Sequence, residues 1–189
     1  DARYEMADVA AKMLVEAGYQ AIGFDHFALP NDSLAIAARN RKLRRNFQGF
    51  TNDTANTLIG IGASSIGKTE AGYIQNFTET GAWARSIDDG VLPVSKGIAL
   101  STSDKMRAEI IETLICNEAV DMDSIMTAHG FRDNWKHYFE LDDYIADNLI
   151  LVENGVLTVM PKGKKIIRVI ASAFDAYYGT NEQKHSVAV

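Results

Sequence analysis

The sequence predicts an α/β protein. Two observations carry that prediction. Through the first half, stretches with apolar residues at helical spacing alternate with short apolar runs that end in Gly, Pro or Asp, an alternation that favours parallel strand pairing. In the second half, helical stretches lead into two apolar runs split by Glu153-Asn154-Gly155. Asn-Gly between such runs is the strongest short-range hairpin signal. Helices, then a hairpin, then a helix resemble a winged-helix arrangement.

The elements follow in order. Met6, Val9, Ala10, Met13, Leu14 and Ala17 form the stripe of an amphipathic helix over 3–17, and Gly18 stands where a C-terminal cap glycine belongs. Residues 19–24 read as a buried strand that ends at Asp25 and His26. After Pro30, Asp32 or Ser33 caps a helix over 34–40. Residues 45–57 are polar and irregular. Leu58 to Ile61 is a second strand candidate, and a glycine-rich stretch follows it. Tyr73 to Phe77 reads as extended, and residues 79–89 as a short helix closed by Gly90.

Beyond a border near residues 91–101, Ser101 caps a helix with Met106, Ile110, Ile111, Leu114 and Ile115 on its apolar face. Asp121 caps a short helix ending at Gly130, and Leu141, Tyr144, Ile145 and Leu149 mark another. Pro161 opens a last helix with Ile166, Ile170, Phe174 and Tyr177 on one face and Gly179 after it. The expected division is 1–95, 96–178 and a flexible tail over 179–189.

The chain has 189 residues, 23% of them charged, and a net charge of −6. That length fits one large or two small domains. The acidity argues against nucleic acid as the main partner. No apolar run approaches the roughly 20 residues that span a bilayer, so no membrane role is expected, and with no signal pattern a cytoplasmic location is the default. The single cysteine, Cys116, excludes a disulfide framework and a self-contained Cys-ligated metal or iron–sulfur site. It lies on the stripe side of its helix and reads as an inert core residue. His129, His137 and His185 show no ligand-like spacing. The chain starts at Asp1 rather than Met, which suggests a piece of a longer protein.

Gly62-Ala-Ser-Ser-Ile-Gly67-Lys68-Thr69 satisfies the P-loop pattern and follows an apolar run. A P-loop must open into a long helix, and the residues after Thr69 show no helical stripe, so a glycine-rich strand end that lets backbone approach a ligand is the competing interpretation. Asp25-His26, at a strand end, lies where βα folds gather ligand groups; a loop histidine bonded to backbone is the alternative. Arg39, Arg41, Lys42, Arg44 and Arg45 are either a solvated helix end or an anion site. Lys162, Lys164, Lys165 and Arg168 are either a solvated face or a basic wing. Phe47-Gln48-Gly49 suits ligand contact or plugs the rim of a sheet.

The residues from Gly18 to Ala28 (GYQAIGFDHFA), Arg45 to Thr51 (RNFQGFT), Leu58 to Ile66 (LIGIGASSI), Gly97 to Leu100 and Leu114 to Asn117 resemble oxygen-independent coproporphyrinogen III oxidase (dehydrogenase), in order from about residue 3 to 178. This is the radical S-adenosylmethionine family of haem biosynthesis. The resemblance implies the C-terminal part of a (β/α)6 partial TIM-like barrel, followed by a mostly helical, winged-helix-like domain. The family's C-x-x-x-C-x-x-C motif, which binds a 4Fe-4S cluster that cleaves S-adenosylmethionine, has no counterpart here.

The resemblance therefore implies the last barrel units plus the appended domain. The missing N-terminal barrel half becomes the implied partner, and coproporphyrinogen III the parent's substrate. That parent is an oxidoreductase converting two propionates to vinyl groups. No cluster is expected on this chain, and it is expected to be inactive alone. Ile66 matches a position contacting S-adenosylmethionine; Phe47 and Gln48 match the loop near a second cofactor site. Arg44, Arg45 and His26 become substrate-binding candidates, because the substrate carries four carboxylates. Three other readings stand beside this one: a P-loop NTPase, a non-catalytic winged-helix binding module, and a haem-trafficking relative.

Overall fold

A computed structural model describes residues 2–24 and 26–178. It divides into two compact units, one of residues 1–52 with 104–189 and one of residues 53–103. Asp25, Gly179, His185 and the tail expected over 179–189 lie outside the described residues.

In the first unit α1 (Ala2–Glu16) ends as the sequence suggests. Gly18 has φ +90, its N–H donates to Val15 O, and Tyr19 N–H donates to Leu14 O. This pair of bonds is the Schellman closure, which satisfies the last carbonyls of the helix. The helical stripe is not buried, however: Met6 and Met13 are exposed by 62% and 64%. β1 (Gln20–Gly23) and β2 (His26–Ala28) form a hairpin, and α2 (Ser33–Arg39) is capped by Asp32, whose carboxylate accepts Leu34 N–H at 2.8 Å. β3 (Arg44–Asn46) and β4 (Gly49–Thr51) make a second hairpin inside the stretch expected to be irregular.

The second unit carries β5 (Ile66–Lys68), β6 (Gly72–Asn76), α3 (Thr80–Asp88) and β7 (Val94–Ala99), with β6 central in the sheet. The expected strand over Leu58–Ile61 reduces to one bridge between Leu58 and Lys68. The P-loop interpretation does not survive this geometry. Gly67 and Lys68 belong to β5, paired antiparallel with β6, and the chain after Thr69 turns into β6 rather than opening a helix. A phosphate cradle needs the amides of a loop opening into a helix N-terminus, whereas the Lys68 amide here donates to Leu58 O at 2.8 Å.

The chain returns to the first unit through α4 (Thr102–Asn117). Then come β8 (Ala119–Asp121), α5 (Met122–Ala128), a 3-10 turn at Trp135–His137, α6 (Asp142–Ala146), β9 (Ile150–Glu153), β10 (Val156–Val159), α7 (Pro161–Lys164) and α8 (Ile167–Ser172). The expected hairpin forms, with Val156 opposite Glu153 and Val159 opposite Ile150, so Glu153 belongs to the strand and the turn is Asn154-Gly155 alone. Asn154 and Gly155 both have positive φ, +51 and +78, as a type I′ turn requires. β8 adds a third strand beside β10. Three residues are too few to show a period in the sequence.

Two further expectations are corrected. Every strand pair among the described residues is antiparallel. β3 and β4 are joined by Phe47 and Gln48 alone, and parallel strands need a crossover of a dozen residues or more. The last helix is two short helices rather than one. A Cβ on Gly163 would lie 2.2 Å from Leu149 O, so α7 is pressed against backbone, and the chain turns at Ile166 before α8. The buried face is consequently Ile167, Ile170, Ala171 and Phe174, while Ile166 and Tyr177 are exposed.

The main core lies in residues 106–174. Met106, Ile110 and Leu114, one turn apart on α4, are fully buried against Leu157 of the sheet and Ile170 and Phe174 from the C-terminal segment. Fully burying each such side chain contributes about 1.5–3 kcal/mol.

Candidate functional site

In the first unit the candidate residues collect around two phenylalanines. The β1–β2 turn holds Gly23 at φ +150 and Phe24 at φ +41. Gly23 is required there, because a Cβ would lie 2.5 Å from the tip of the Phe50 ring. Phe24 and Phe50 rings sit 5.8 Å apart, and His26 meets Phe50 edge-on at 5.1 Å and 87°. The Arg45 guanidinium lies 5.0 Å from the centre of Phe24 and 4.9 Å from that of Phe50. Arg168, from α8, lies 4.4 Å from the centre of Phe24. Such contacts stabilise a cation by about 0.5–2 kcal/mol each.

Glu112 on α4 anchors the β3 end of this cluster. Its Oε1 accepts Arg44 Nε–H at 2.7 Å and the Arg45 backbone N–H at 3.1 Å. The hydrogen bond from Arg44 to Glu112 raises the Arg44 pKa above its ordinary value. Of the three substrate-binding candidates, then, Arg44 spends its charge on Glu112, while Arg45 and His26 both pack on Phe50.

Phe47 and Gln48 form the tip of the β3–β4 hairpin and are exposed; Gln48 N–H donates to Asn46 Oδ1 at 2.8 Å. Ile66 stands in the other unit, half-buried in β5 opposite Gln75. The glycine-rich loop before it is held from inside. Asn76 is buried, and its amide donates to Gly60 O at 3.1 Å and Gly62 O at 2.9 Å. Ser65 Oγ–H donates to Ile61 O at 2.7 Å, and Gln75 Nε2 donates to Ser64 O at 3.1 Å.

Phe24, Phe50, Glu112 and Asn76 complete the arrangement without being marked as candidates by the sequence. Phe24 and Phe50 lie inside the GFDHFA and RNFQGF stretches, but nothing in the spacing says that the two rings meet.

An iron–sulfur cluster does not fit the residues present. Cluster ligands are thiolates, and four cysteines or three plus an exchangeable ligand are the rule. Cys116 is buried beside Ala37 and Leu43, and burial, followed by the charge of Glu112, pushes its thiol up to about 12. It stays a neutral thiol. Among the described residues no helix is long and apolar enough to cross a membrane.

No family model matches the chain. In structure, the chain resembles coproporphyrinogen III oxidase of Escherichia coli, described as a radical SAM enzyme, with a TM-score of 0.82 and 35% identity over 90% of this chain and 40% of that one. The chain's mixed α/β fold is thus one found within a radical SAM enzyme.

The sequence comparisons narrow the class. An oxygen-independent coproporphyrinogen III oxidase from Bradyrhizobium diazoefficiens is 41% identical over 100% of this chain and 42% of its own length. An anaerobic coproporphyrinogen III oxidase from Cereibacter sphaeroides is 40% identical over 98% of this chain and 41% of its own length. An enzyme from Pseudomonas aeruginosa is 33% identical over 97% of the chain. Along nearly its whole length the chain is similar to oxygen-independent coproporphyrinogen III oxidases, and it spans about two fifths of the length of these relatives.

Proposed function

We propose that this chain is the C-terminal part of a radical SAM coproporphyrinogen III oxidase, an oxidoreductase of haem biosynthesis that converts coproporphyrinogen III to protoporphyrinogen IX in the cytoplasm. The observation that carries the proposal is identity of about two residues in five to such enzymes along the full length of the chain. The iron–sulfur cluster and the cleavage of S-adenosylmethionine belong to the remaining part, the N-terminal barrel half that is this chain's partner. Residues 1–95 supply the last units of the partial barrel and 96–178 a winged-helix-like domain; the order helix, strand, helix, helix, hairpin over 102–159 supports that description.

Within this proposal Ile66 offers β5 backbone to S-adenosylmethionine, and Phe47 and Gln48 at their exposed hairpin tip flank a second cofactor site. Arg45, Arg44 and His26 sit on the substrate side. The chain alone is inactive, because its one cysteine cannot hold the cluster.

A chimera tests this: the equivalent two fifths of the Bradyrhizobium diazoefficiens enzyme is replaced by this chain, and protoporphyrinogen IX formation is followed under anaerobic conditions. Turnover by the chimera and none by this chain alone is the expected result. A chimera that folds and binds its cluster but does not turn over would overturn the proposal.

A further inference from the structure

Helix α1 faces the wrong way for a core helix. Its half-buried positions are Asp8, Ala11 and Leu14, while the apolar stripe of Met6, Val9, Ala10, Met13 and Ala17 is exposed. An ion pair holds that orientation. Asp8 accepts from Lys165 Nζ, at the end of α7, at 3.0 Å. The Asp8 side of the helix is thereby tied to the first unit, and Met6, Val9 and Met13 are each left more than half exposed. Contiguous apolar surface marks an interaction site, and methionine adapts its shape to whatever it meets there.

The spacing of the stripe and the charges beside it point to the occupant. Met6, Val9, Ala10 and Met13 are separated by three, one and three residues, so the stripe reads the same from either end, with a methionine at each. A surface that meets its own copy across a two-fold axis must be self-complementary in this way. Glu5 and Lys12 are both exposed and lie about two turns apart, bordering the stripe on its Val9 side. Two copies of α1 running antiparallel about a point between Val9 and Ala10 bring these two borders face to face. Lys12 of the second copy then stands level with residue 7, two residues along the axis from Glu5, or about 3 Å at the helical rise. The pair forms twice, once on each side of the axis. In a parallel arrangement these borders lie on opposite sides, and the charges do not meet.

We infer that the exposed stripe of α1 is a self-association surface, on which a second copy of this chain docks antiparallel through Met6, Val9, Ala10 and Met13, with Glu5 of each copy facing Lys12 of the other. This pairing stands independently of the proposed function. Two helices of 15 residues bury less than the roughly 1,200 Å² at the lower end of stable interfaces, so the dimer is weak, with a Kd on the order of tens of micromolar.

The test is sedimentation equilibrium of this chain from low micromolar to several hundred micromolar concentration. A monomer–dimer equilibrium is expected. Met13→Lys, which places a charge at both ends of the apolar contact, should weaken it at least tenfold, about the cost of leaving a charge against apolar surface. Glu5→Lys and Lys12→Glu each turn two attractions into two repulsions and should each weaken the dimer about fivefold. The double variant, with the charges exchanged, should recover the wild-type affinity.

All three positions are exposed, so unchanged helical circular dichroism checks that each variant is folded. The charge exchange decides the matter even where Met13→Lys disturbs α1. A chain that stays monomeric at every concentration would overturn the inference, and is the outcome if this face takes another part of the parent enzyme instead. So would a dimer that Met13→Lys leaves intact, a double variant no tighter than the single ones, or open-ended aggregation in place of a dimer. None of these outcomes touches the proposed function, which stands or falls on turnover by the chimera.

Discussion

Residues 104–178 and residues 53–103 hold their shape by different means. The first region is built around buried side chains: every member of the large core cluster lies between Met106 and Phe174. In the second, none of the buried hydrophobic residues of the described chain is found, Ile61 and Leu92 are exposed by 88% and 82%, and the one buried polar side chain, Asn76, binds two loop carbonyls. One region is stabilised by removing apolar surface from water, the other by strand ladders and a side-chain amide. Hydrophobic burial scales with area, so truncating one large core side chain costs most, whereas a network of few hydrogen bonds loses less energy but depends on each bond for its shape. The glycine-rich loop ahead of Ile66 belongs to the second kind, and its shape is set by Asn76.

The largest expected effect lies in the first region. Phe174→Ala leaves a cavity beside Phe139, whose ring is 4.7 Å away, and should cost about 3–5 kcal/mol in a urea unfolding experiment. Ile74→Ala in β6, which is only half-buried, should cost less than half as much; an equal loss would erase the contrast.

Next comes Asn76→Ala. It removes two donors from the Gly60 and Gly62 carbonyls and should cost about 1–3 kcal/mol, seen as faster amide exchange at Ser64, Ser65 and Asn76, whose N–H groups close the loop against neighbouring backbone. Unchanged exchange there would show that the ladders alone hold the loop.

Cys116 supplies a reporter for the better-buried region. With its thiol held neutral and covered, modification at pH 8 by a disulfide reagent should proceed only as fast as the surrounding helix opens, and should become rapid in denaturant. Immediate stoichiometric reaction in the folded chain would contradict this.

The smallest effect compares one helix cap in each region. Asp121 caps α5 by accepting from Ser124, and Glu79 caps α3 by accepting the N–H groups of Gly81 and Ala82. These bonds hold both carboxyls below their ordinary pKa. A depressed folded-state value means the cap contributes fully above the ordinary carboxylate range and is lost as pH falls through the depressed one. Helical circular dichroism should therefore decline below about pH 4, and less so in Asp121→Asn and Glu79→Gln. A decline of the same size in both variants would assign the acid sensitivity elsewhere.

These contrasts follow the line between what was legible in the sequence and what was not. Asp32, Asp121, the glycine at 18 and the Asn154-Gly155 turn were all readable, because each acts on backbone within four or five residues of itself. The stripe of α1 was readable as a helix but not as an exposed face, since periodicity reports which residues share a side and not what covers it. The antiparallel pairing of the described strands is not legible in the sequence, because alternation of elements constrains partners only weakly when strands are as short as three residues.

The residues of the candidate site divide the same way. Motif resemblance pointed to His26, Phe47, Gln48, Arg44, Arg45 and Ile66 one at a time. It could not say that Glu112 takes up Arg44, because that pair joins residues 68 apart.

Local sequence signals account for the helix caps, the type I′ hairpin and a single cysteine that no cluster can use, and the motifs carry the resemblance to coproporphyrinogen III oxidases. Long-range packing places Lys68 in a strand rather than a phosphate loop, breaks the last helix over Leu149 O, and brings Arg45 and Arg168 to one aromatic ring. The reason is one of range. Dihedral preferences and capping bonds act within a turn or two of chain, while burial and the meeting of distant charges depend on how the whole polymer closes on itself.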